Sequence, residues 1–314
     1  MDSSAVDTFE AGRGRLASLA YRLLGSAADA EDAVQDTFLR WQSADRERIE
    51  VPEAWLTKVA TNICLDRLRS ARARHERTAG AWLPEPLLDG DPMLGPADTF
   101  EQRESVSLAV LTLVERLAPN ERAVYVLREA FAYSHTEIAA ILDITVAASQ
   151  QHAHRARTRL ADARRGTGGA ADPAAARRVV EEFLVAATSG STDRLVALLT
   201  DDVTAVSDGA GLSRRLLLLH RTPERVASFV RAGFRSTPAK RRLAGGPTAM
   251  YLARVNGSPA VIAVAGGRVV GAVAFDVGDG KVSALYGIAA AHRLTRLDAA
   301  WRRHDPGVPV VDAR

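Results

Sequence analysis

Residues 143–160, DITVAASQQHAHRARTRL, decide how the first half of this chain is read. A helix-turn-helix needs one helix, a tight turn and a second helix whose outer face meets base edges. Residues 136–157, TEIAAILDITVAASQQHAHRAR, have that layout. Ala139 is small where two helices approach, and Ile144 can plug the turn. Asp143 stands where glycine is commonest, and aspartate tolerates a left-handed backbone better than most residues. Arg155, Arg157 and Arg159 follow. At a helix C-terminus they suit the macrodipole, and they can equally meet phosphate. A solvated basic helix end explains the arginines alone; the turn pattern favours DNA. Two inner positions are polar, Ser149 and His152, which either find hydrogen-bond partners in a thinner interface or leave this helix loosely held, and weak reading by it is expected.

Upstream the helical period continues. Leu16, Leu19, Ala20, Leu23 and Leu24 define one helix, which Gly25 ends. The next restarts with Asp29 as its expected N-cap. Ala33, Val34, Thr37, Phe38 and Trp41 form its apolar face, with Glu31, Asp32, Gln35 and Asp36 mostly opposite. Pro52 opens a third helix, where proline is tolerated. Leu56, Val59, Ala60, Ile63 and Leu68 are its expected buried stripe, and Lys58, Asn62, Asp66 and Arg69 recur on the other side. Arg67, Arg69, Arg72, Arg74 and Arg77 put five cations into eleven residues, an electrostatic footprint for a phosphate backbone. Proline and glycine then mark a linker over residues 78–96. Helices are expected at 106–117, 120–132 and 134–142, before the opening stretch.

The 314 residues are 47% apolar and 25% charged, ordinary for a globular protein with room for several cores. Net charge is +3, too small to prove an anionic partner. The lone Cys64, read as a half-buried filler, excludes an internal disulfide or a cysteine-based zinc site. The acidic face lacks the glycine and terminal glutamate of an EF-hand, so no metal and no cofactor are expected. There is no basic-then-apolar N-terminal signal and no run of about 18 apolar residues. The expectation is a cytoplasmic protein without membrane attachment.

Beyond the glycine-rich stretch at 167–174 the character changes. Two helices, at 177–190 and 191–200, lead to a strand at 202–208 and a helix at 223–234. Apolar runs at 249–255, 260–266, 269–277 and 282–289 are separated by NGSP, GGR and GDGK, which are hairpin signals. Helices followed by an antiparallel meander argue for an α+β domain.

Several stretches carry a resemblance. DAEDAVQDTFLRWQ (29–42), WLTKVATNICLDRLR (55–69) and LAPNERAVYVLREAFAYSHTEIAAIL (117–142) are similar to bacterial sigma factors of the extracytoplasmic-function group. WLPEP (82–86) resembles a linker motif of the subgroup with a fused SnoaL-like domain, a cone-shaped α+β fold related to NTF2-like proteins. The resemblance implies sigma region 2 at 1–78, a linker at 79–104 and region 4 at 105–166. A short linker at 167–174, the SnoaL-like domain at 175–297 and a tail at 298–314 follow. Asp29, Asp32, Gln35 and Asp36 would dock on the β′ clamp helices of bacterial core RNA polymerase. Lys58, Asn62, Asp66, Arg67 and Arg69 would meet the −10 promoter element. Thr145, Ala148, Gln150, Gln151, His154, Arg155 and Arg157 would meet the −35 element. An amide such as Asn62 both donates and accepts along a base edge, which suits capture of an unstacked base.

The same resemblance implies regulation by the fused domain rather than by a separate anti-sigma factor. Trp82, Leu83, Pro84, Glu85 and Pro86 would form the regulatory linker, and Asp208, Gly209, Gly211 and Arg293 the contacts of the fused domain. The chain departs from the pattern in places. Asp208-Gly209-Ala210-Gly211-Leu212 lacks the family lysine, and Ala290-Ala291-His292-Arg293-Leu294 keeps a cation and the leucine. Ser149, His152 and Gln150 replace family-like valine, leucine and arginine. Two other classes compete. A plain helix-turn-helix regulator leaves the acidic face and the Asn62 face unexplained. A SnoaL-like isomerase would need a carboxylate or histidine in an apolar cavity; Asp208, His220, Tyr251 and Asp276 are its candidates, with no motif binding them together. The expectation is a factor, not an enzyme, with room for a small regulatory ligand in the cone.

Overall fold

The computed structural model describes residues 3–75, 83–95, 105–164, 172–209, 218–235 and 237–312. They form two compact units, one from residues 1–79 and 90–163, the other from 80–89 and 164–314.

The first unit is helical. Helix α1 (Ser3–Leu24) ends where Gly25 turns left-handed at φ 65°. Helix α2 (Ala27–Ser43) is capped by Ser26, whose Oγ accepts from the Asp29 amide at 3.2 Å. The cap expected at Asp29 therefore lies three residues earlier, because the short serine hydroxyl reaches the free amide of the first turn. Phe9, Leu16, Val34, Trp41, Leu56 and Ala60 build the core that α1 and α2 share with α3 (Pro52–His75). Trp41 Nε1 donates to the Ala5 carbonyl at 2.8 Å.

Helix α3 is buried on more than one stripe. Thr57, Thr61, Cys64 and Leu65 join the expected positions, while Val59 and Leu68 are only half-buried. The remaining helices explain this: α4 (Leu108–Val114), α5 (Pro119–Tyr125), α6 (His135–Leu142) and α7 (Val146–Arg164). α5 and α6 both pack on α3. Cys64 is fully buried, not half-buried, and burial pushes its thiol up to about 12. The helix expected at 120–132 runs into a π-helical turn, Val126–Ala130, and closes with Ala132 at φ 57°.

The second unit is α+β, as expected. Helices α8 (Pro173–Ser189) and α9 (Thr192–Ala197) precede strands β1 (Leu199–Ser207) and β2 (Leu218–Arg221). Helices α10 (Pro223–Phe234) and α11 (Pro238–Ala244) follow. Then come β3 (Thr248–Val255), β4 (Ser258–Ala265), β5 (Arg268–Gly278), β6 (Lys281–Ile288), α12 (Ala291–Trp301) and β7 (Val311–Asp312). The sheet order is β2-β1-β6-β5-β4-β3-β7. β3 to β6 form the antiparallel meander, whereas β1 pairs parallel with β6. Asn256-Gly257, with φ 53° and 77°, makes the tight turn between β3 and β4. Phe183, Leu184, Val203, Val226, Val230 and Phe275 fill the space between helices and sheet. The boundary expected at 297 falls inside α12, whose Trp301 is buried and 5.4 Å from Tyr251.

Candidate nucleic-acid interface

The helix-turn-helix forms where the sequence places it. Ser134 and Glu137 cap α6 reciprocally: Ser134 Oγ accepts from the Glu137 amide at 3.2 Å and Glu137 Oε2 from the Ser134 amide at 2.7 Å. Hydrogen bonding of the charged carboxylate by the Ser134 side chain, and then by the Ser134 amide, holds the Glu137 carboxyl below the usual carboxylate range. Asp143 ends α6 at φ 53° and ψ 47°, the left-handed conformation its position demands.

Helix α7 buries Ser149, Ala153, Ala156 and Leu160 along one seam. Ser149 finds a partner, its Oγ lying 2.9 Å from His135 Nδ1. His152 is half-buried, and its Nδ1 has no partner among the described residues. Opposite the seam, the 3.6 period sets Ala147, Gln151, His154 and Thr158 along the centre of the exposed face. Gln150 and Arg155 flank it. Thr145 Oγ1 accepts from the Ala148 amide at 3.1 Å and so caps α7, and Ala148 is half-buried. Arg157 lies at the flank and donates to Glu129 Oε1 at 2.7 and 3.1 Å. Arg159 pairs with the buried Glu121. Of Arg155, Arg157 and Arg159, the last two thus fasten α7 to its own unit. Thr158, seven residues after Gln151, was legible from the period and absent from the expected set.

The face of α3 expected at the −10 element is turned toward α5 and α6. Lys58 Nζ donates to Asp143 Oδ1 at 2.6 Å and to the Ala140 carbonyl at 3.0 Å. Arg69 reaches Asp66 at 3.3 Å and Asn120 Oδ1 at 3.2 Å. Asn62 is half-buried. Arg67 lies against the acidic face of α2, 2.7 Å from Asp36, 3.9 Å from Asp32 and 3.0 Å from the Asp29 carbonyl. Gln35 is exposed beside them. Tyr133 Oη accepts from Arg15 at 2.7 Å, and the buried Arg122 donates to the Leu23 carbonyl at 2.8 Å. A cleft of about 510 Å³ between α2 and α3, lined by Asp45, Arg48, Ile49 and Trp55 among others, has no counterpart in the sequence reading. Its walls converge only when the 46–48 turn folds back.

In the second unit, the residues that directly follow the WLPEP motif are fastened to the β3–β4 hairpin. Leu87 donates to Asn256 Oδ1 at 2.8 Å and its carbonyl accepts from the Asn256 amide at 2.9 Å. Asp89 accepts from the Gly257 amide at 2.8 Å and from Arg254 Nε at 2.9 Å. Leu83, Pro84, Pro86 and Leu87 are buried, and Glu85 is half-buried. Arg293 donates to the Leu83 carbonyl. Asp208 accepts from the Ala289 and Ala290 amides, both at 3.0 Å, and so caps α12, whose N-cap alanine has no side chain to do it. Gly209 donates to Ser207 Oγ at 3.3 Å. Trp82, Arg77 and Gly211 lie outside the described residues.

The enzyme candidates are dispersed. His220 stacks on Phe229 at 4.3 Å beside a cleft of about 460 Å³, Tyr251 packs on Trp301, and Asp276 of β5 stands opposite Ala284 of β6. Among the described residues no group of three or more acidic, histidine or cysteine side chains is placed to hold a metal ion. No described helix is long and apolar enough to cross a membrane.

Comparison with known proteins adds to this geometry. Residues 8–74 match sigma-70 region 2 and residues 107–160 match sigma-70 region 4. The chain is 37% identical over 307 residues to the ECF RNA polymerase sigma factor SigJ of Mycobacterium tuberculosis, covering 96% of each. It is 31% identical over 297 residues to the probable ECF RNA polymerase sigma factor SigI of that organism, covering 93% of this chain and 95% of the relative. The crystal structure of SigJ superposes with a TM-score of 0.69 at 34% identity, over 93% of this chain and 98% of that one. The chain therefore belongs to the extracytoplasmic-function RNA polymerase sigma factors, an alternative sigma factor with an α+β domain fused behind its two sigma regions.

Proposed function

We propose that this structure is the latched form of the sigma factor, in which its two DNA-reading faces hold each other. The observation that carries this is the Lys58–Asp143 ion pair, which joins the expected −10 face to the turn of the helix-turn-helix. The −10 and −35 elements lie about 25 base pairs apart, roughly 80 Å along a duplex at about 3.4 Å per step. Faces in hydrogen-bond contact must part to reach both. The ion pair is largely exposed, with 39% and 73% of its side chains accessible, so it is worth at most about 1 kcal/mol and yields readily to phosphate.

In the opened form, Asp29, Asp32, Gln35 and Asp36 dock on the β′ clamp helices of core RNA polymerase. Lys58, Asn62, Asp66 and Arg69 meet the −10 strand. Arg67 works from the other side, orienting Asp36. Gln151, His154 and Thr158 read the −35 duplex from the major groove, with Gln150 and Arg155 at the edges. Because the fused domain grips residues 83–89, it shortens the tether between the sigma regions and favours the latched form. That is regulation in cis, without a separate anti-sigma factor.

The test is promoter-directed transcription with core polymerase. Charge reversal of Asp32 and Asp36 should abolish transcripts. Asp143→Gly, which keeps the left-handed turn but removes the anion, should raise promoter binding by the free factor. Unchanged binding in Asp143→Gly would show that this ion pair does not hold the two faces together. Transcripts that survive the reversal would sink the docking face.

A further inference from the structure

The charge of this chain is unevenly divided. Residues 1–172, which contain both sigma regions, hold 21 Lys and Arg against 26 Asp and Glu, a net of −5. Residues 173–314 hold 20 against 12, a net of +8. The half that reads the promoter is anionic overall, and the fused domain carries the excess cation.

That excess is concentrated. Between Arg221 and Ala244 there are seven basic residues and a single acid, Glu224. Arg221, Arg225, Arg231, Arg235, Arg241 and Arg242 are all exposed in the structure. α10 buries Val226, Ala227 and Val230 against the core, which leaves Arg225 and Arg231 on its outward arc. Arg235 follows at its C-cap, and α11 adds Arg241 and Arg242. Arg231 donates to the Gly190 carbonyl at 3.3 Å and Thr192 Oγ1 at 2.8 Å, and Arg242 to the Pro238 carbonyl at 3.4 Å. Those partners are neutral, so both charges stay uncompensated. Among the described residues, no carboxylate pairs with Arg221, Arg225, Arg231, Arg235 or Arg242.

We infer that the α10–α11 face of the fused domain is a binding surface for the phosphate backbone of duplex DNA. Six of the seven cations are arginine, whose planar fork matches phosphate oxygens in a way the lysine ammonium does not. Among the described residues of this face no large apolar side chain is exposed, and so none of them supplies the wedge that anchors an amphipathic helix in lipid. Promoter DNA is the polyanion that this family engages, and the tether keeps the arginine face at high local concentration beside it. Contacts of this kind read no sequence. They supply attraction that an anionic sigma module cannot, and they extend the footprint on the duplex. The inference rests on the sigma-factor reading only in its choice of partner.

The test uses the full chain and a short random-sequence duplex, with affinity measured by fluorescence anisotropy across a salt series. The comparison is with Arg225→Gln/Arg235→Gln/Arg242→Gln, whose exposed side chains hold no core contact. Each lost phosphate contact should make the slope of log K against log salt shallower by about 0.9, so the triple variant should lose about 2 to 3. Affinity at moderate salt should fall about tenfold or more, equally for promoter and random sequence. An unchanged slope overturns the inference, as does a rise in affinity, which would mean the arginines serve an acidic protein face. Loss of binding to phosphatidylcholine–phosphatidylserine vesicles with DNA affinity intact would reassign the surface to membrane. Promoter-directed transcription by the unaltered chain is run in parallel: its failure would count against the sigma-factor reading, whereas an unchanged slope with normal transcription counts against this surface alone.

Discussion

At the scale of the residue, one of the two polar positions of the α7 seam, Ser149, is satisfied by a hydrogen bond, while His152 Nδ1 has no partner among the described residues. Ser149 is fully buried and bonded to His135, so it costs little where a valine would pack. Ser149→Ala should lower stability by about 1 kcal/mol, the usual worth of one such bond, in urea denaturation of the whole chain. A neutral result would show that the hydroxyl contributes no more than a methyl. Glu137 offers a second check. Its carboxyl lies below the ordinary value of 4.5 because the Ser134 hydroxyl and amide bond its charged form. A depressed acid stabilises the fold fully above its unfolded value and loses that contribution as pH falls through the folded value. An NMR titration should therefore place the Glu137 midpoint below that of a free glutamate, and Ser134→Ala should raise it.

At the scale of the element, α7 and the linker strap are held by groups outside their own sequence. Arg157 was expected at the −35 element and Arg159 could suit either the macrodipole or phosphate, yet Glu129 and Glu121 take them. Glu121 is buried, with 4% of its side chain accessible, and also accepts from the Ala118 amide. Arg157→Ala should therefore weaken DNA binding less than His154→Ala, and His154→Ala alone should alter preference among −35 sequences. Equal loss of preference in both would place Arg157 on the duplex instead. The strap depends on Asn256, fully buried at φ 53°. Asn256→Gly keeps the backbone free to adopt that φ but removes the acceptor for the Leu87 amide, a loss of about 1–3 kcal/mol at that contact. Limited proteolysis should then cut residues 83–95 faster than in the unaltered chain. An unchanged rate would mean that Asp89, Arg254 and the buried leucines suffice.

At the scale of the molecule, the sigma regions share one interface. Arg122 is the buried member of it, bonding the Leu23 carbonyl and the Glu115 carboxylate, the latter at 2.9 Å. A charged hydrogen bond of this kind is worth about 1.5–3 kcal/mol, more than the exposed Lys58 pair. Labels on α3 and α7 should report short-range energy transfer in the free factor and lose it in the polymerase–promoter complex. Efficient transfer that persists in that complex would refute the opening step.

The helices, the hairpin turns and the sigma motifs were legible because each depends on local period, capping and turn chemistry. The left-handed Asp143, the meander of β3 to β6 and the acidic face of α2 all follow from residues close in sequence. The partners of Lys58, Arg67, Arg157 and Ser149 were not, since each lies in another element and side-chain pairing has no period. The β1–β6 parallel pair, the Trp55 cleft and the seat of residues 83–89 on Asn256 likewise join positions far apart in the chain. The sequence alone therefore determined which elements form and to which family they belong. Only the tertiary structure decided which of the charged groups are spent on one another and which remain open to DNA, because that depends on the faces that long-range packing buries.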